Sequence, residues 1–498
     1  MMRSLFAGVA GLKTHQTRMD VIGNNIANVN TTAYKSQSMV FSDLMYQTTR
    51  AASGANATTG VGGVNARQIG LGSKTSSIKT AITSQGAAQS TNDPFDIMIN
   101  GSSFFIVNNG QENFFTRDGS FYIDGSGNLV MTSTGYNLMG WGVNEETGEI
   151  QKGNVQPLKI MTTENMTYDP QVTTDAVIDG IIDRFDTDLD TTEGRIMNLE
   201  FFDNQGYKYT AQFSVHDVDG EHGKFYVQLD QIKDADGKSV FSTTDANGVT
   251  TFNGVTFGKD ITIPSVAADG TATTKTVKNA VILSFVDGKG TFEGVGGDGY
   301  TAGANGAIGT VQGTLSKDPI SLTFTQPNFL ANQDDLPAGK TPGVISIDFS
   351  GCLNYNKNGT STMGALAGDK KGLGAGLKVG EMSGVTVQKD GKIYATYDNG
   401  QRKLLGQIAA ASFANPSGLA KQGDNLYSST MNSGEFDGVG IDITADGGYM
   451  ESGVLEMSNV DLAAEFTEMI TTQRGFQANS RIITVSDTLL EELTNLKR

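Results

Sequence analysis

The chain has 498 residues, and its 54 acidic and 36 basic side chains give a formal net charge of −18. A chain of this length exceeds one hydrophobic core, so we expect about two to four domains. The acidic balance argues against a nucleic-acid partner, which requires a basic surface. No apolar run reaches the roughly 18 residues of a membrane-spanning helix, so we expect no membrane insertion. The single cysteine, Cys352, excludes an internal disulfide framework and is interpreted as a small buried hydrophobic residue.

The first predicted element is a long amphipathic helix over residues 2–29. Apolar side chains recur at every seventh position, with two more on the flanks: Leu5, Leu12, Met19 and Ile26, flanked by Val9 and Ile22. This spacing places them in one seam along the helix, which favours a partner helix. His15 lies close to the seam, and we interpret it as a packing or interface residue rather than a base.

Residues 30–90 are rich in Ser, Thr, Gly and Ala and offer few core residues. We expect an extended linker there that becomes ordered only against its neighbours.

Alternating apolar runs separated by Asn-Gly and Asp-Gly pairs begin near residue 91 and predict a β-meander. We expect the lone Trp141 to belong to its core or to a seam. The predicted first β domain consists of residues 91–162 and 351–453. A second β domain, residues 163–350, is inserted between those two segments and is long enough for two subdomains.

The last predicted element is a helix within residues 459–498. Its seam repeats every seven residues and is widened by a second apolar series: Leu462, Met469, Phe476, Ile483 and Leu490, then Phe466, Leu489, Leu493 and Leu496. If the intervening chain folds as one body, the two terminal helices run antiparallel. The seams alone are equally compatible with two ordinary amphipathic helices that pack on that body.

Two motifs distinguish these alternatives. Residues 22–35 and residues 455–479 resemble the N-terminal and C-terminal signatures of the axial proteins of the bacterial flagellum, in the correct order and at the correct ends. Residues 116–121 and 384–413 are similar to further segments of the same family. Ala33 and Gly475 stand where the family usually has Gly and Ala, respectively. Because Gly weakens a helix by about 1 kcal/mol relative to Ala, we expect a softened or bent point at Gly475.

The resemblance implies a mixed, mainly β fold. Two antiparallel, coiled-coil-like terminal helices, residues 1–29 and 454–498, would form the assembly domain, and nested β-rich domains with a discontinuous chain topology would lie between them. The residues expected to make subunit contacts come from both signatures and both seams: Leu5, Val9, Leu12, Met19, Ile22, Asn24, Asn25, Ile26, Asn28, Asn459, Leu462, Phe466, Met469, Phe476, Ile483, Leu490 and Leu493.

The same resemblance implies a structural subunit of the flagellar hook that polymerises with itself into a flexible helical tube. Its partners would be further copies of this chain, the rod, hook-cap and hook–filament junction proteins and the flagellar export apparatus. Export would be of the type III kind, to the cell exterior, without a cleaved signal peptide. Three alternatives stay open: a distal-rod protein, a secreted enzyme or adhesin on a β scaffold, and a soluble binding module.

The sequence contains no recognisable catalytic or metal-binding motif, so we expect no enzyme activity and no cofactor. His216 and His222 bracket an acidic turn that we interpret as solvated. Residues 186–190 alternate carboxylates in the manner of a calcium loop. Thr191 and Met197 replace the Gly and Glu that this loop requires at its sixth and twelfth positions, so the pattern fails.

Overall fold

The computed structural model describes residues 2–54, 60, 62–144, 147–218, 222–244, 250–266, 272–297, 299–302, 308–325 and 340–496. Within these residues the fold is mainly β with three α-helices: α1 (Met2–Ala27), α2 (Thr163–Met166) and α3 (Leu462–Asn495). Residue contacts divide the chain into two compact units. The first unit is Met1–Met166, Ser383–Thr396 and Arg402–Arg498, and the second is Thr167–Met382 and Tyr397–Gln401.

The strands are numbered in chain order. Those before Met166 are β1 (Gln37–Asp43), β2 (Tyr46–Arg50), β3 (Arg67–Gly70), β4 (Ser73–Thr80), β5 (Ala88–Ser90), β6 (Ile97–Asn100), β7 (Phe104–Asn108), β8 (Asn113–Thr116), β9 (Phe121–Ile123), β10 (Leu129–Met131), β11 (Asn137–Gly142) and β12 (Gln156–Pro157).

The next group is β13 (Thr167–Tyr168), β14 (Asp175–Ile182), β15 (Arg195–Phe202), β16 (Lys208–Asp217), β17 (Lys224–Asp234), β18 (Ser239–Val240), β19 (Ser242–Thr244), β20 (Thr250–Phe252), β21 (Val255–Phe257), β22 (Lys259–Val266), β23 (Ala272–Phe285), β24 (Phe292–Gly296), β25 (Gly299–Ala302), β26 (Ile308–Gln312), β27 (Leu315–Ser316), β28 (Ile320–Phe324), β29 (Val344–Asn354) and β30 (Gly364–Ala367). The last group is β31 (Gly380–Val387), β32 (Lys392–Tyr397), β33 (Arg402–Ile408), β34 (Ala410–Ala411), β35 (Ala420–Gly423), β36 (Leu426–Ser428), β37 (Tyr449–Ser452) and β38 (Val454–Glu456).

The main sheet of the first unit combines strands from two distant parts of the chain. Strand β11 pairs antiparallel with β7 on one side and with β33 on the other. Strand β8 pairs with β36, and β7 also pairs with β34. Trp141 on β11 is 2% exposed in this unit's core, and its Nε1 donates hydrogen bonds to the carbonyl oxygens of Gly153 (3.0 Å) and Val439 (3.1 Å). The indole therefore joins the two segments that form the sheet.

Residues 30–90, expected as an extended linker, contain paired strands. Strand β1 pairs antiparallel with β4, β2 with β3, and β5 with β38 near the far end of the chain. Most side chains in β2, β3 and β4 are exposed. Backbone pairing thus satisfies the polar groups of a segment that has too few apolar residues for a core, which is why composition alone suggested a linker.

The second unit contains a sheet with the order β15-β16-β17-β23-β22 and another with the order β21-β28-β29-β14-β30. Their inward residues share one core that includes Phe201, Phe213 and Phe257. The expected domain boundary between residues 350 and 351 falls inside β29, and residues 351–382 belong to this unit rather than to the first. Cys352 on β29 is fully buried, and its Sγ donates to the carbonyl oxygen of Ile178 at 3.2 Å. Burial raises the pKa of this thiol to about 12.

Candidate assembly surface

The two terminal helices pack against each other in opposite directions. Near one end, the Ser4 and Ser486 hydroxyl oxygens lie 3.3 Å apart. Near the other, Arg18 Nη2 donates to Glu468 Oε2 at 2.9 Å. Because the positions along α1 rise as those along α3 fall, the two helices are antiparallel.

Glycine allows close approach at the centre of this contact. A Cβ added at Gly475 of α3 would lie 2.7 Å from Cε1 of His15 on α1, closer than side chains pack. The His15 ring also meets the edge of Phe41, with the ring centroids 5.6 Å apart. Burial lowers the pKa of His15, and the Arg18 charge lowers it further. His15 is therefore a packing residue between the helices, and α3 continues as a helix through Gly475.

The structure distributes the predicted seam residues over three environments. Ile22 is buried, and most of the others are partly buried: Leu5, Leu12, Met19, Ile26, Met469, Phe476, Ile483 and Leu490. Six are exposed: Val9 (48%), Leu462 (39%), Phe466 (50%), Leu489 (48%), Leu493 (48%) and Leu496 (82%). The seam thus faces the partner helix along its centre, whereas these six residues lie outside the contact.

The pairing of α1 with α3 leaves a large apolar face in solvent, which we call the exposed face. Within α3, all of whose residues are described, only Thr472 and Ser486 are buried. The exposed face combines residues of both helices: Phe6, Val9, Leu462, Phe466, Ile470, Ile482, Val485, Leu489 and Leu493. Phe6 is 61% exposed and Val485 is 57% exposed. Large apolar side chains left in solvent in this number are typical of an interaction site.

The signature asparagine Asn25 joins three elements at the end of α1. It is fully buried, and its Nδ2 donates both to the Gln37 carbonyl oxygen and to Glu465 Oε1, each at 2.8 Å. Its Oδ1 accepts from the Gln37 amide at 2.9 Å and from the Tyr34 hydroxyl at 3.2 Å. All four hydrogen-bonding positions of the amide are therefore used.

The other signature asparagines have local or bridging contacts. Asn24 Nδ2 donates to the Tyr34 hydroxyl at 3.0 Å, and Asn28 Nδ2 donates to the Asn24 carbonyl oxygen at 2.9 Å. Asn459, which precedes α3, accepts from the Ser36 amide at 2.7 Å and donates to the Ala81 carbonyl oxygen at 3.0 Å. All of these contacts lie within one chain, so the role of the four asparagines in subunit contacts stays a prediction.

Sequence reasoning missed Tyr34 and Glu465, which complete the contacts of Asn25. Both residues lie within the two signature segments, but nothing in their local pattern shows that they meet. Burial raises the pKa of Glu465, while the hydrogen bond from Asn25 acts in the opposite direction.

The structure also locates the residues that were weighed as metal ligands. Asp186 caps the 3₁₀ helix Thr187–Asp190 by accepting from the Asp188 amide. His216 lies buried on β16, whereas His222 is exposed. Asp219 and Glu221 of the acidic turn lie outside the described residues. Among the described residues, no helix combines the length and apolar character needed to cross a bilayer.

Comparison with known proteins agrees with both terminal signatures and with the first β region. Three family models match: "Flagella basal body rod protein" over residues 5–35, "Flagellar hook protein FlgE/F/G D1 domain" over residues 98–177, and "Flagellar basal body rod FlgEFG protein C-terminal" over residues 451–496.

Similarity to curated relatives covers the whole chain. The flagellar hook protein FlgE of Treponema pallidum is 32% identical, and that of Borreliella burgdorferi is 34% identical, each over 100% of both chains. The flagellar basal-body rod protein FlgG of Bacillus subtilis is 27% identical, also over 100% of both chains. At this identity and coverage, the chain belongs to the flagellar hook protein FlgE family.

Proposed function

We propose that this chain is the repeating subunit of the flagellar hook and that it polymerises through the exposed face of its terminal helices. The relatives named as hook proteins support a structural role in the hook, and the FlgE family is structural rather than enzymatic. The observation that carries the assembly mechanism is the apolar face that stays in solvent after α1 and α3 have paired.

The exposed apolar side chains are large enough for their burial to favour association. Phe466, Leu489 and Leu493 are each about half exposed in the single chain. Fully burying a side chain of this size stabilises by about 1.5–3 kcal/mol, so covering even half of several such residues favours association. Neighbouring copies offer the matching apolar surface. The α1–α3 pair would act as a coiled-coil-like unit whose remaining apolar side packs on the next pair.

A tubular polymer follows if the contact is head-to-tail. A patch on one copy that meets a different patch on the next gives a contact that does not close, and repetition of that contact generates a helix. The paired helices would line the tube, and the β-rich residues would lie further out. Sliding between the outer parts of neighbouring copies would then allow the tube to bend as it turns.

Other flagellar proteins would contact this subunit at the ends of the polymer and during export. The hook joins the rod to the filament, so contacts with rod, hook-cap and hook–filament junction proteins would occur at the ends of the polymer. Export through the flagellar type III apparatus, without a cleaved signal peptide, would deliver the chain to the growing tip outside the cell. The nested domain layout, with the first β domain formed by two separated segments, would leave both termini together for assembly.

A distal-rod role is the second candidate. The FlgG relative is similar over its full length, but at 27% identity against 32% and 34% for the two hook relatives. The higher identities favour the hook.

The proposal is tested by a double substitution on the exposed face, Phe466→Ser with Leu489→Ser, in the full-length chain. We expect the critical concentration for polymerisation, measured by sedimentation and electron microscopy, to rise at least tenfold. Met431 is fully exposed and belongs to the first unit, and it is part of neither α1 nor α3. Met431→Ser is therefore the matched control, and we expect it to leave the critical concentration within twofold. Unchanged polymerisation of the double variant would remove the exposed face from the assembly mechanism.

A further inference from the structure

Three charged side chains from distant parts of the first unit form a buried cluster. Lys35 follows α1, Arg117 follows β8, and Glu456 ends β38. Their side chains are 0%, 1% and 1% exposed, respectively. Charged residues are almost never buried to this extent without partners, because removing a charge from water costs free energy. We call these residues the charge cluster.

Glu456 accepts hydrogen bonds from two directions through one oxygen. Lys35 Nζ donates to Glu456 Oε1 at 2.7 Å, and the Gly86 amide donates to the same oxygen at 2.8 Å. Lys35 Nζ also donates to the Ser84 carbonyl oxygen at 2.7 Å. Burial lowers the pKa of Lys35, and the Glu456 charge opposes that shift. The carboxylate thus compensates the buried ammonium group.

Arg117 faces the other oxygen of the same carboxylate. Its Nη1 lies 3.9 Å from Glu456 Oε2, and its Nη2 donates to the Gly101 carbonyl oxygen at 2.7 Å. The guanidinium carbon lies 5.0 Å from the centroid of the Phe104 ring, within the main sheet's core. Arg117 is therefore anchored in the β body, whereas Lys35 and Glu456 belong to the segments that lead into and out of the terminal helices.

The charge balance makes Glu456 the residue on which the cluster depends. Two cations share one carboxylate, so loss of the Glu456 charge would leave two uncompensated positive charges next to each other. Loss of the Arg117 charge would leave a neutral Lys35–Glu456 pair. Removing one partner of a buried ion pair is far more costly than neutralising the site as a whole. The segment that contains Lys35 can relieve this cost by leaving the body and returning Lys35 to water.

Backbone contacts place the two connecting segments side by side at the same point. The Ala33 amide donates to the Glu456 carbonyl oxygen at 2.7 Å, and the Met457 amide donates to the Ala87 carbonyl oxygen at 2.8 Å. Release of Lys35 would therefore disturb the segment that leads to α3 as well.

We propose that the charge cluster is a latch that holds both connecting segments, residues 31–36 and 454–459, on the β body independently of whether α1 and α3 are ordered. The latch sets the boundary beyond which the terminal helices can fray without unfolding the rest of the unit. It acts within one chain and needs no neighbouring copy, so it goes beyond the proposed assembly function and stands or falls separately from it.

Limited digestion of the unassembled full-length chain with trypsin tests the latch, with mass spectrometry following cleavage after Arg18 and after Lys35. Cleavage after Arg18 reports fraying of α1, and cleavage after Lys35 reports release of the latch. We expect Glu456→Gln to accelerate cleavage after Lys35 at least tenfold relative to the natural sequence. Fluorescence of Trp141, the single tryptophan, shows whether the β body stays folded.

Two control variants separate charge balance from general loosening. Arg117→Met keeps the neutral Lys35–Glu456 pair, so cleavage after Lys35 should stay within threefold of the natural rate. Glu468→Gln removes the exposed salt bridge between Glu468 (51% exposed) and Arg18 (27% exposed). This variant should be cleaved after Lys35 as slowly as the natural chain.

The double variant Glu456→Gln with Arg117→Met keeps the test decisive if Glu456→Gln alone unfolds the body. With one buried cation instead of two, its cleavage rate after Lys35 should lie clearly below that of Glu456→Gln, with Trp141 emission restored. An unchanged rate in folded Glu456→Gln would overturn the latch. So would equal acceleration by Arg117→Met, or a double variant as unprotected as Glu456→Gln.

Discussion

Asn25 and Glu465 meet across the two ends of the chain, with Asn25 Nδ2 donating to Glu465 Oε1 at 2.8 Å. The two residues are 440 positions apart, yet this contact fixes the start of α3 against the end of α1. Because Asn25 is fully buried, its amide cannot exchange this partner for water.

Replacement of Asn25 by Asp should therefore loosen the helix pair. The new carboxylate would face Glu465 in a buried position and could no longer donate to it, which should lower the free energy of unfolding by about 2–4 kcal/mol. Thermal unfolding followed by the helical circular-dichroism signal measures the change. Asn30 is exposed just beyond α1, so Asn30→Asp serves as the control and should change stability by less than about 0.5 kcal/mol. Equal effects of both substitutions would contradict the assigned role of Asn25.

Gly475 and His15 form a second pair whose coupling can be measured. Alanine at position 475 should gain about 1 kcal/mol of helix propensity. Its Cβ would lie 2.7 Å from the His15 ring, however, and the ring is held against Phe41. We therefore expect Gly475→Ala to destabilise the natural chain but to stabilise a chain that carries His15→Ala. A double-mutant cycle in chemical denaturation gives the interaction energy, and the same sign of effect in both backgrounds would refute the steric explanation.

Ala33 adopts a left-handed backbone conformation, with φ of 55°, although it is an alanine. This conformation costs an L-residue about 1–2 kcal/mol, whereas glycine adopts it freely. Glycine also has more conformational freedom in the unfolded chain, which offsets part of this gain. We therefore expect Ala33→Gly to stabilise the chain by no more than about 1 kcal/mol. Ala27→Gly, at the end of α1, is the control and should destabilise by about 0.5–1 kcal/mol. The thermal unfolding midpoint should therefore rise in Ala33→Gly and fall in Ala27→Gly.

Asp230 and His216 in the second unit predict an unusual pH response. The Ser214 hydroxyl donates to Asp230 Oδ1 at 3.0 Å and lies 3.1 Å from His216 Nε2. Burial raises the pKa of Asp230 to about 6. Burial, together with the Lys275 charge, lowers the pKa of His216 to about 4. Between these two values the folded unit holds its proton on Asp230, whereas the unfolded chain holds it on His216.

These two shifts have opposite effects on stability. The raised pKa of Asp230 gives stability that is present below pH 3.8 and lost as pH rises through 6. The lowered pKa of His216 gives stability that is present above pH 6.5 and lost as pH falls through 4. Because both states bind equal numbers of protons in this window, the contribution of the pair to unfolding should be nearly independent of pH.

Asp230→Asn should break this balance. At pH 7.5 we expect the variant to be more stable than the natural chain by on the order of 2 kcal/mol, with the gain disappearing as pH falls towards 4. Urea unfolding of the full-length chain at a series of pH values measures it, and Asp236→Asn on an exposed turn is the control. A gain that does not change with pH would contradict the assignment.

The parts of this fold that sequence could predict depend on short-range patterns. The seven-residue spacing from Leu5 to Ile26 is a local pattern, so it predicted both ends of α1 to within a few residues. The turn between β31 and β32 is equally local, because an Asp-Gly pair forms it and Gly391 adopts φ of 80°. The mainly β character and the presence of both terminal helices followed from such patterns.

The parts that sequence could not predict depend on contacts between distant residues. Strand β5 pairs with β38, which lies far away in the sequence. This pairing uses backbone groups and leaves no sign in the composition, so residues 30–90 resembled a linker. Phe466 and Met469 belong to the same apolar pattern, yet only Phe466 is largely exposed, because the direction of each side chain depends on where α1 crosses α3. Gly475 was expected to soften α3, whereas its lack of a side chain accommodates His15.

Accessibility of the exposed face before and after polymerisation tests the assembly mechanism most directly. A cysteine introduced by Leu489→Cys can be labelled selectively with a maleimide, because the natural Cys352 is buried and its pKa is raised to about 12. We predict rapid labelling in the single chain and labelling at least tenfold slower in the polymer. Equal labelling rates in both states would show that neighbouring copies do not cover this face, and would contradict polymerisation through it.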